Sequence, residues 1–139
     1  MQGLSQMKSQ KITSETILRL GVNERNFPAF KVGDTVRVNQ IVKEGDKERV
    51  QAFEGDVISS RNNGISSTFT VRKIGANAVA VERIYPYYSP AIESVVIVRR
   101  GDIRRAQAYY VRSRVGRAAK FKEKILTKAQ KAELSAKNA

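Results

Sequence analysis

The chain has 139 residues and carries 26 lysines plus arginines against 13 acids, a formal net charge of +13, with no cysteine and no histidine. Disulfides, thiolate metal sites, imidazole zinc sites and histidine proton transfer are thereby excluded. The N-terminus lacks the apolar run of a secretory signal and no stretch reaches transmembrane length, so the expectation is one soluble intracellular domain with appendages.

In chain order, residues 1–11 are polar and without period. Ile12, Thr16, Ile17 and Leu20 fall at helical spacing before Gly21, which predicts a short helix. Pro28 forces Phe27 to be extended, and Phe27 and Phe30 are expected to plug the edge of a core. A Gly33-Asp34 turn leads to a first strand at 35–42, and Glu44-Gly45-Asp46-Lys47 supplies hairpin chemistry. The second strand, 49–59, has Phe53, Gly55 and Val57 on one face and Val50 and Ile58 on the other, which predicts a bulge near Gly55.

Asn62-Asn63-Gly64 is the strongest tight-turn signal in the chain. A third strand is expected at 67–74, a turn at Gly75-Ala76-Asn77, and a fourth strand from Val79 to Tyr85. The β-branched stretch 92–99 reads as a buried strand, and 103–111 as one more. The expected core is Val36, Val38, Phe53, Val57, Phe69, Val71, Val79, Val81 and Ile97. Short strands with turns every eight to twelve residues point to a small barrel or sandwich. From about residue 113 the pattern turns helical. Arg117, Lys120, Lys124, Lys128 and Lys131 recur as a basic stripe beside a thin apolar stripe of Ala118, Phe121 and Ile125, and the turns after Thr127 are expected to fray.

The cations are unevenly placed. Residues 99–139 hold thirteen cations and three acids, whereas residues 1–98 hold thirteen cations and ten acids. Seven of the former are arginines between 99 and 117: Arg99, Arg100, Arg104, Arg105, Arg112, Arg114 and Arg117. Guanidinium forks onto phosphate oxygens and stacks on flat rings, and Tyr109 and Tyr110 lie inside the run. So dense a positive segment implies an anionic partner, and a basic end on a nearly neutral body is the footprint of a nucleic-acid binder. An anionic membrane surface would want more large apolar residues on the tail.

Further candidate contacts are Arg61 beside the Asn-Asn-Gly turn, Arg72-Lys73, Arg83, and Lys120 and Lys124 on the stripe. Tyr85, Tyr87 and Tyr88 either stack on bases or pack within a proline-bounded loop. Glu44, Asp46 and Glu48 read as a solvated turn, and no glycine-rich phosphate loop or nucleophile with its base is present. No catalysis and no cofactor is expected.

Six stretches in colinear order carry a resemblance. They are Phe30-Lys-Val-Gly-Asp-Thr-Val-Arg-Val38, Glu48-Arg-Val-Gln-Ala-Phe-Glu-Gly-Asp-Val-Ile58 and Gly64-Ile-Ser-Ser-Thr-Phe-Thr-Val-Arg-Lys-Ile74, then Val81-Glu-Arg-Ile-Tyr-Pro86, Ser89-Pro-Ala-Ile-Glu93, and Val98-Arg-Arg-Gly through Arg104-Arg-Ala to Tyr109-Tyr-Val-Arg112. Over residues 27 to about 124 the chain resembles the bacterial-type large-subunit ribosomal protein family numbered nineteen. The resemblance implies a mainly β fold, an SH3-like β-barrel with a basic C-terminal extension. The N-terminal helix and the tail beyond Lys124 lie outside the common core. With the elements read above, the expected divisions are a short-helix arm at 1–26, the barrel at 27–112 and a basic helical tail at 113–139. The resemblance also implies a structural role on large-subunit ribosomal RNA near the subunit interface, with neighbouring ribosomal proteins and a bridge to small-subunit RNA as partners. Arg99-Arg100, Arg104-Arg105 and Arg112 match the family's basic motif, and Arg72-Lys73 and Arg83 its hairpin segments. Asp102 stands where the family usually has a cation, and Tyr88 where a histidine is common. A regulatory SH3-like module of a transcription or translation factor, binding acidic proteins or duplex DNA, is the other binding class the sequence allows. An RNA-processing enzyme would need the carboxylate cluster that is missing.

Overall fold

A computed structural model describes Val22 and residues 25–138; the helix expected at 12–20 lies outside the described residues. The chain is mainly β. Five strands, β1 (Thr35–Glu44), β2 (Lys47–Arg61), β3 (Thr68–Ile74), β4 (Ala80–Pro86) and β5 (Ile92–Arg99), form one antiparallel sheet in the order β4-β3-β2-β1-β5. Among the described residues one α-helix, α1 (Lys128–Asn138), follows the sheet.

Period-two alternation explains how one sheet makes a core. Val36 and Val38 of β1, Val57 of β2, Phe69 and Val71 of β3, Tyr85 of β4, and Ile92, Val95 and Ile97 of β5 all bury into a single cluster. All five strands contribute to it, so the sheet curls around its own inner face. The entry segment closes one end as its two phenylalanines suggest. Phe30 packs edge-on to Phe69 with centroids 4.9 Å apart, and Phe27 to Tyr87 at 5.5 Å. Fully burying a side chain of this size stabilises by about 1.5–3 kcal/mol, and Phe27 and Phe30, partly buried, gain a share of that.

Several expectations need correction. Val79 and Val81 are 60% and 43% exposed, because the distal halves of the β1–β2 and β3–β4 hairpins run past the core; Tyr85 takes the buried place on β4. Asn62-Asn63-Gly64 does not make a two-residue turn. It opens a wider loop with a single 3₁₀ turn over Gly64–Ser66, held by Ser67, whose hydroxyl donates to the Gly64 carbonyl and accepts from the Asn63 amide. The bulge lies not at Gly55 but between Val57 and Ser59, where Ile58 has no partner in the β2–β3 register.

That bulge has a consequence. Val57 points to the main core, while Ile58, equally inaccessible, turns outward into a second cluster with Ala108 and Val111. The Ile58 carbonyl, free of the β3 ladder, accepts from the Ala108 amide at 2.7 Å. The segment expected to be a strand at 103–111 is therefore irregular, with a 3₁₀ turn over Tyr109–Ser113, because it is tied to the outer face of β2 and not to a sheet edge.

The continuous helix expected from 113 is not formed either. Gly116 adopts φ +68, and residues 122–124 return to pair with 100–102: the Asp102 amide donates to the Lys122 carbonyl at 2.9 Å and the Lys124 amide to the Arg100 carbonyl at 2.8 Å. The helix forms only after Thr127, in the turns expected to fray. Thr127 and Gln130 exchange hydrogen bonds between side chain and amide, the reciprocal pattern of a capping box.

The base of this excursion is fixed by Asp34. Its carboxylate is buried and accepts from the Lys31 amide at 2.9 Å, the Gly101 amide at 3.1 Å and the Arg100 guanidinium at 2.8 Å. Gly101 must be glycine, since a Cβ there would overlap the Gly33 carbonyl group. Removing one partner of a buried ion pair strands the other. Asp34→Ala is expected to lower stability by about 3–5 kcal/mol, read from the denaturant midpoint at unchanged slope.

Candidate nucleic-acid interface

Residues 103–121 form a loop closed at its base by the 100–102 and 122–124 pairing and pinned at its middle by the second apolar cluster. Arg104, Arg105, Arg112, Arg114 and Arg117 are all exposed on it. The two tyrosines organise these cations. The Arg105 and Arg114 guanidiniums lie 5.2 and 4.6 Å from the Tyr110 ring centroid, and that of Arg112 lies 4.6 Å from Tyr109. Such contacts are worth about 0.5–1 kcal/mol at exposed sites, enough to restrict a long side chain without covering its charge. Tyr110 is itself held edge-on against Phe121.

A second anchor joins the loop to the β3–β4 hairpin. Arg72 and Glu82 are cross-strand partners, and Arg72 donates to Glu82 at 2.8 Å. Arg112 reaches over to grip the same carboxylate with two parallel bonds of 2.9 Å. The Arg112 hydrogen bond, foremost, holds the Glu82 carboxyl below the ordinary carboxylate range and raises the Arg112 guanidinium in turn. Lys73 and Arg83 stand on the opposite face of that hairpin, over the Phe53 ring at 5.7 and 5.5 Å.

Arg72, Arg99, Arg100 and Lys120 are brought together around a cleft of about 260 Å³ between the outer face of the sheet and the returning chain; Lys73 lines it too, but its ammonium lies over Phe53 on the other face. Lys122, which does not fall on the helical stripe, joins them; its signal lies in long-range pairing, invisible in local periodicity. On the cleft wall, Asp56 accepts from the Thr35 hydroxyl, and burial raises its carboxyl above the usual value against the opposing effects of that bond and of Arg99. Arg61 lies elsewhere, exposed at the end of β2, and Lys124 lies behind the cleft on the returning chain. Arg100 is turned inward onto Asp34 and the Ala29 carbonyl, so its charge is largely compensated. Of the tyrosines, Tyr85 is buried in the core, while Tyr87 and Tyr88 pack edge-to-face at 5.0 Å.

The acids do not assemble into a catalytic set. Glu44 and Glu48 pair with Arg49 and Lys43 along the β1–β2 hairpin, and no group of three potential metal ligands occurs among the described residues. Among the described residues no helix is long and apolar enough to cross a membrane.

Glu82 yields a pH prediction. Its folded pKa lies below the unfolded value, so the unfolded chain takes up the proton first as pH falls. The stabilisation it brings is present above the ordinary carboxylate range and drains away as pH drops through the folded value. Glu82→Gln should therefore be less stable than the parent at pH 7, with the gap closing in acid; thermal midpoints measured from pH 7 to 3 would show the two curves converging.

The family model of ribosomal protein L19 matches residues 8–124, so the N-terminal segment from residue 8 belongs to the matched region, which begins well before residue 27, while the tail beyond 124 does not. The large ribosomal subunit protein bL19 of Wolinella succinogenes is 51% identical over 109 residues, covering 78% of this chain and 92% of that protein. The bL19 proteins of Clostridium botulinum (55% over 100 residues, 72% of this chain and 87% of that protein) and Campylobacter jejuni (53% over 102 residues, 73% and 86%) are similarly close. This chain belongs to the ribosomal protein L19 family, a family of structural, non-enzymatic ribosomal proteins.

Proposed function

We propose that this chain, a structural constituent of the large ribosomal subunit in the cytoplasm, binds ribosomal RNA near the subunit interface and contributes to a bridge with small-subunit RNA. The observation that carries the reading is the 103–121 loop: five exposed arginines on a segment held at both ends and at its middle. A loop ordered in advance does not spend binding free energy on becoming ordered. Its guanidiniums can fork onto phosphates where RNA segments pack closely.

The binding set is Arg99, Arg104, Arg105, Arg114, Arg117, Lys120 and Lys124, with Arg61, Lys73 and Arg83 reaching further RNA from other faces. Arg72, Arg100 and Arg112 belong to it through their ion pairs, by fixing the cleft and loop to the sheet. Recognition is of folded RNA shape, since among the described residues no helix of the body presents polar side chains for base edges. Neighbouring large-subunit proteins meet the remaining surface.

Sedimentation of lysate at two magnesium concentrations tests the assignment. The protein should stay with the large subunit when the subunits dissociate, and a protein found at the top of the gradient in both conditions would overturn it. In the same gradients, Arg104→Ala with Arg105→Ala should reduce incorporation more than Lys128→Ala with Lys131→Ala. Equal effects would move the centre of binding off the loop.

A further inference from the structure

The tail that lies outside the family match is not a loose appendage. Near the end of α1, the Asn138 carboxamide donates to the Ile97 carbonyl at 2.8 Å and accepts from the Ile97 amide at 3.2 Å. It occupies both backbone groups of one residue on the outer edge of β5, as a paired strand residue would. Leu134 packs half-buried against the main core, and the Thr127–Gln130 box fixes the start of the helix. The helix is thus capped at its start and attached to the sheet at Leu134 and Asn138.

Between α1 and the entry segment this docking leaves a groove of about 340 Å³. Lys31, Arg100, Lys124, Gln130, Glu133 and Lys137 line it. Arg100 is committed to Asp34. Lys31, Lys124 and Lys137 are exposed and form no ion pair within the described residues; of the two acids lining the groove, Asp34 is buried and taken by Arg100, and Glu133 is exposed. Three lysines from three separate segments line this one groove, and Glu133 is the only lining acid left to offset them. Compact, hydrated charges of this kind suit phosphate oxygens and carry no base preference.

We propose that this groove holds a stretch of RNA sugar–phosphate backbone, so that the segment beyond residue 124 supplies one wall of a phosphate-binding site distinct from the arginine loop. The inference rests on the ribosomal RNA reading above. α1 brings Lys137 to Lys31 and Lys124, and the Asn138 clamp on β5 sets that approach.

The test is the salt dependence of binding of the full chain to deproteinised large-subunit ribosomal RNA. For every phosphate that a variant leaves unneutralised, the slope of log affinity against log salt falls by about 0.7–0.9. Lys31→Ala with Lys124→Ala and Lys137→Ala should lower it by about 2–3. Asn138→Ala removes no charge but frees the end of the helix, and should produce a smaller decrease of the same sign. An unchanged slope in the triple variant would overturn the proposal. So would a normal slope in Asn138→Ala beside a reduced one in the triple variant, since the lysines would then act as independent charges. A triple variant that keeps its RNA slope but no longer binds a large-subunit protein would assign the groove to a protein, which also overturns it. If the parent shows no salt-dependent RNA binding, the ribosomal RNA reading itself fails. If the parent binds and only Arg104→Ala with Arg105→Ala lowers the slope, that reading stands and the groove alone is refuted.

Discussion

One buried carboxylate sets where the basic half of the molecule begins. Asp34 sits in the turn that starts the sheet, and its acceptors are filled from Lys31, Gly101 and Arg100. An isolated buried charge would cost several kcal/mol, so the turn is stable only with the Arg100 guanidinium in place. The pair acts as a staple across 66 residues of sequence. It fixes the exit of β5 against the entry of β1, and Gly101 on Gly33 leaves no slack in the contact. Everything from 102 onward departs in a direction fixed by that staple.

The second constraint is the bulge at Ile58. A regular β2 would also put Ile58 on the outer face, but would use its carbonyl in the β3 ladder. The extra residue frees that carbonyl, so the outer face offers one apolar side chain and one free acceptor side by side. Ala108 and Val111 use both, and so a strongly positive segment is held near a body it would otherwise avoid. Acids then sort the cations. Asp34 takes Arg100, while Glu82 takes Arg72 and Arg112; the arginines of the 99–117 run left exposed and unpaired among the described residues are Arg99, Arg104, Arg105, Arg114 and Arg117. Composition counts all of these arginines alike, but the fold divides them into those that hold the loop and those that face outward.

This division explains what can and cannot be read from the sequence. β5 is legible to the residue, because a β-branched run bounded by a proline loop and a glycine has few alternatives. The inward face of β1–β3 follows from alternation alone. Val79 and Val81 mislead because alternation tells which face a residue is on, not where along the strand the core ends. The tail fails for a related reason. Lysines at steps of three and four satisfy a helical period, yet an exposed charge gains little from any particular face, so its spacing does not fix the backbone. Gly116 and the pairing of 122–124 with 100–102 decide that segment, and the second of these is a contact across some twenty residues that no local pattern carries. Asp34 and Glu82 do not stand out among scattered acids, although Gly-Asp at a strand entry is a place where a carboxylate finds free amides.

The placement of Glu82 bears on how the arginine loop works. A carboxylate inside a basic surface weakens the field felt by a distant phosphate, and a sequence selected only for charge would omit it. Here it accepts three charge-assisted bonds from two arginines that come from a hairpin and a loop with no backbone pairing between them. Giving up one unit of attraction at long range anchors the segment at Arg112, two residues before Arg114 on the Tyr110 ring. Long-range attraction is screened within about 8–10 Å at physiological salt, whereas the geometry of a forked contact is not. For a surface that reads shape at close range, position outweighs total charge.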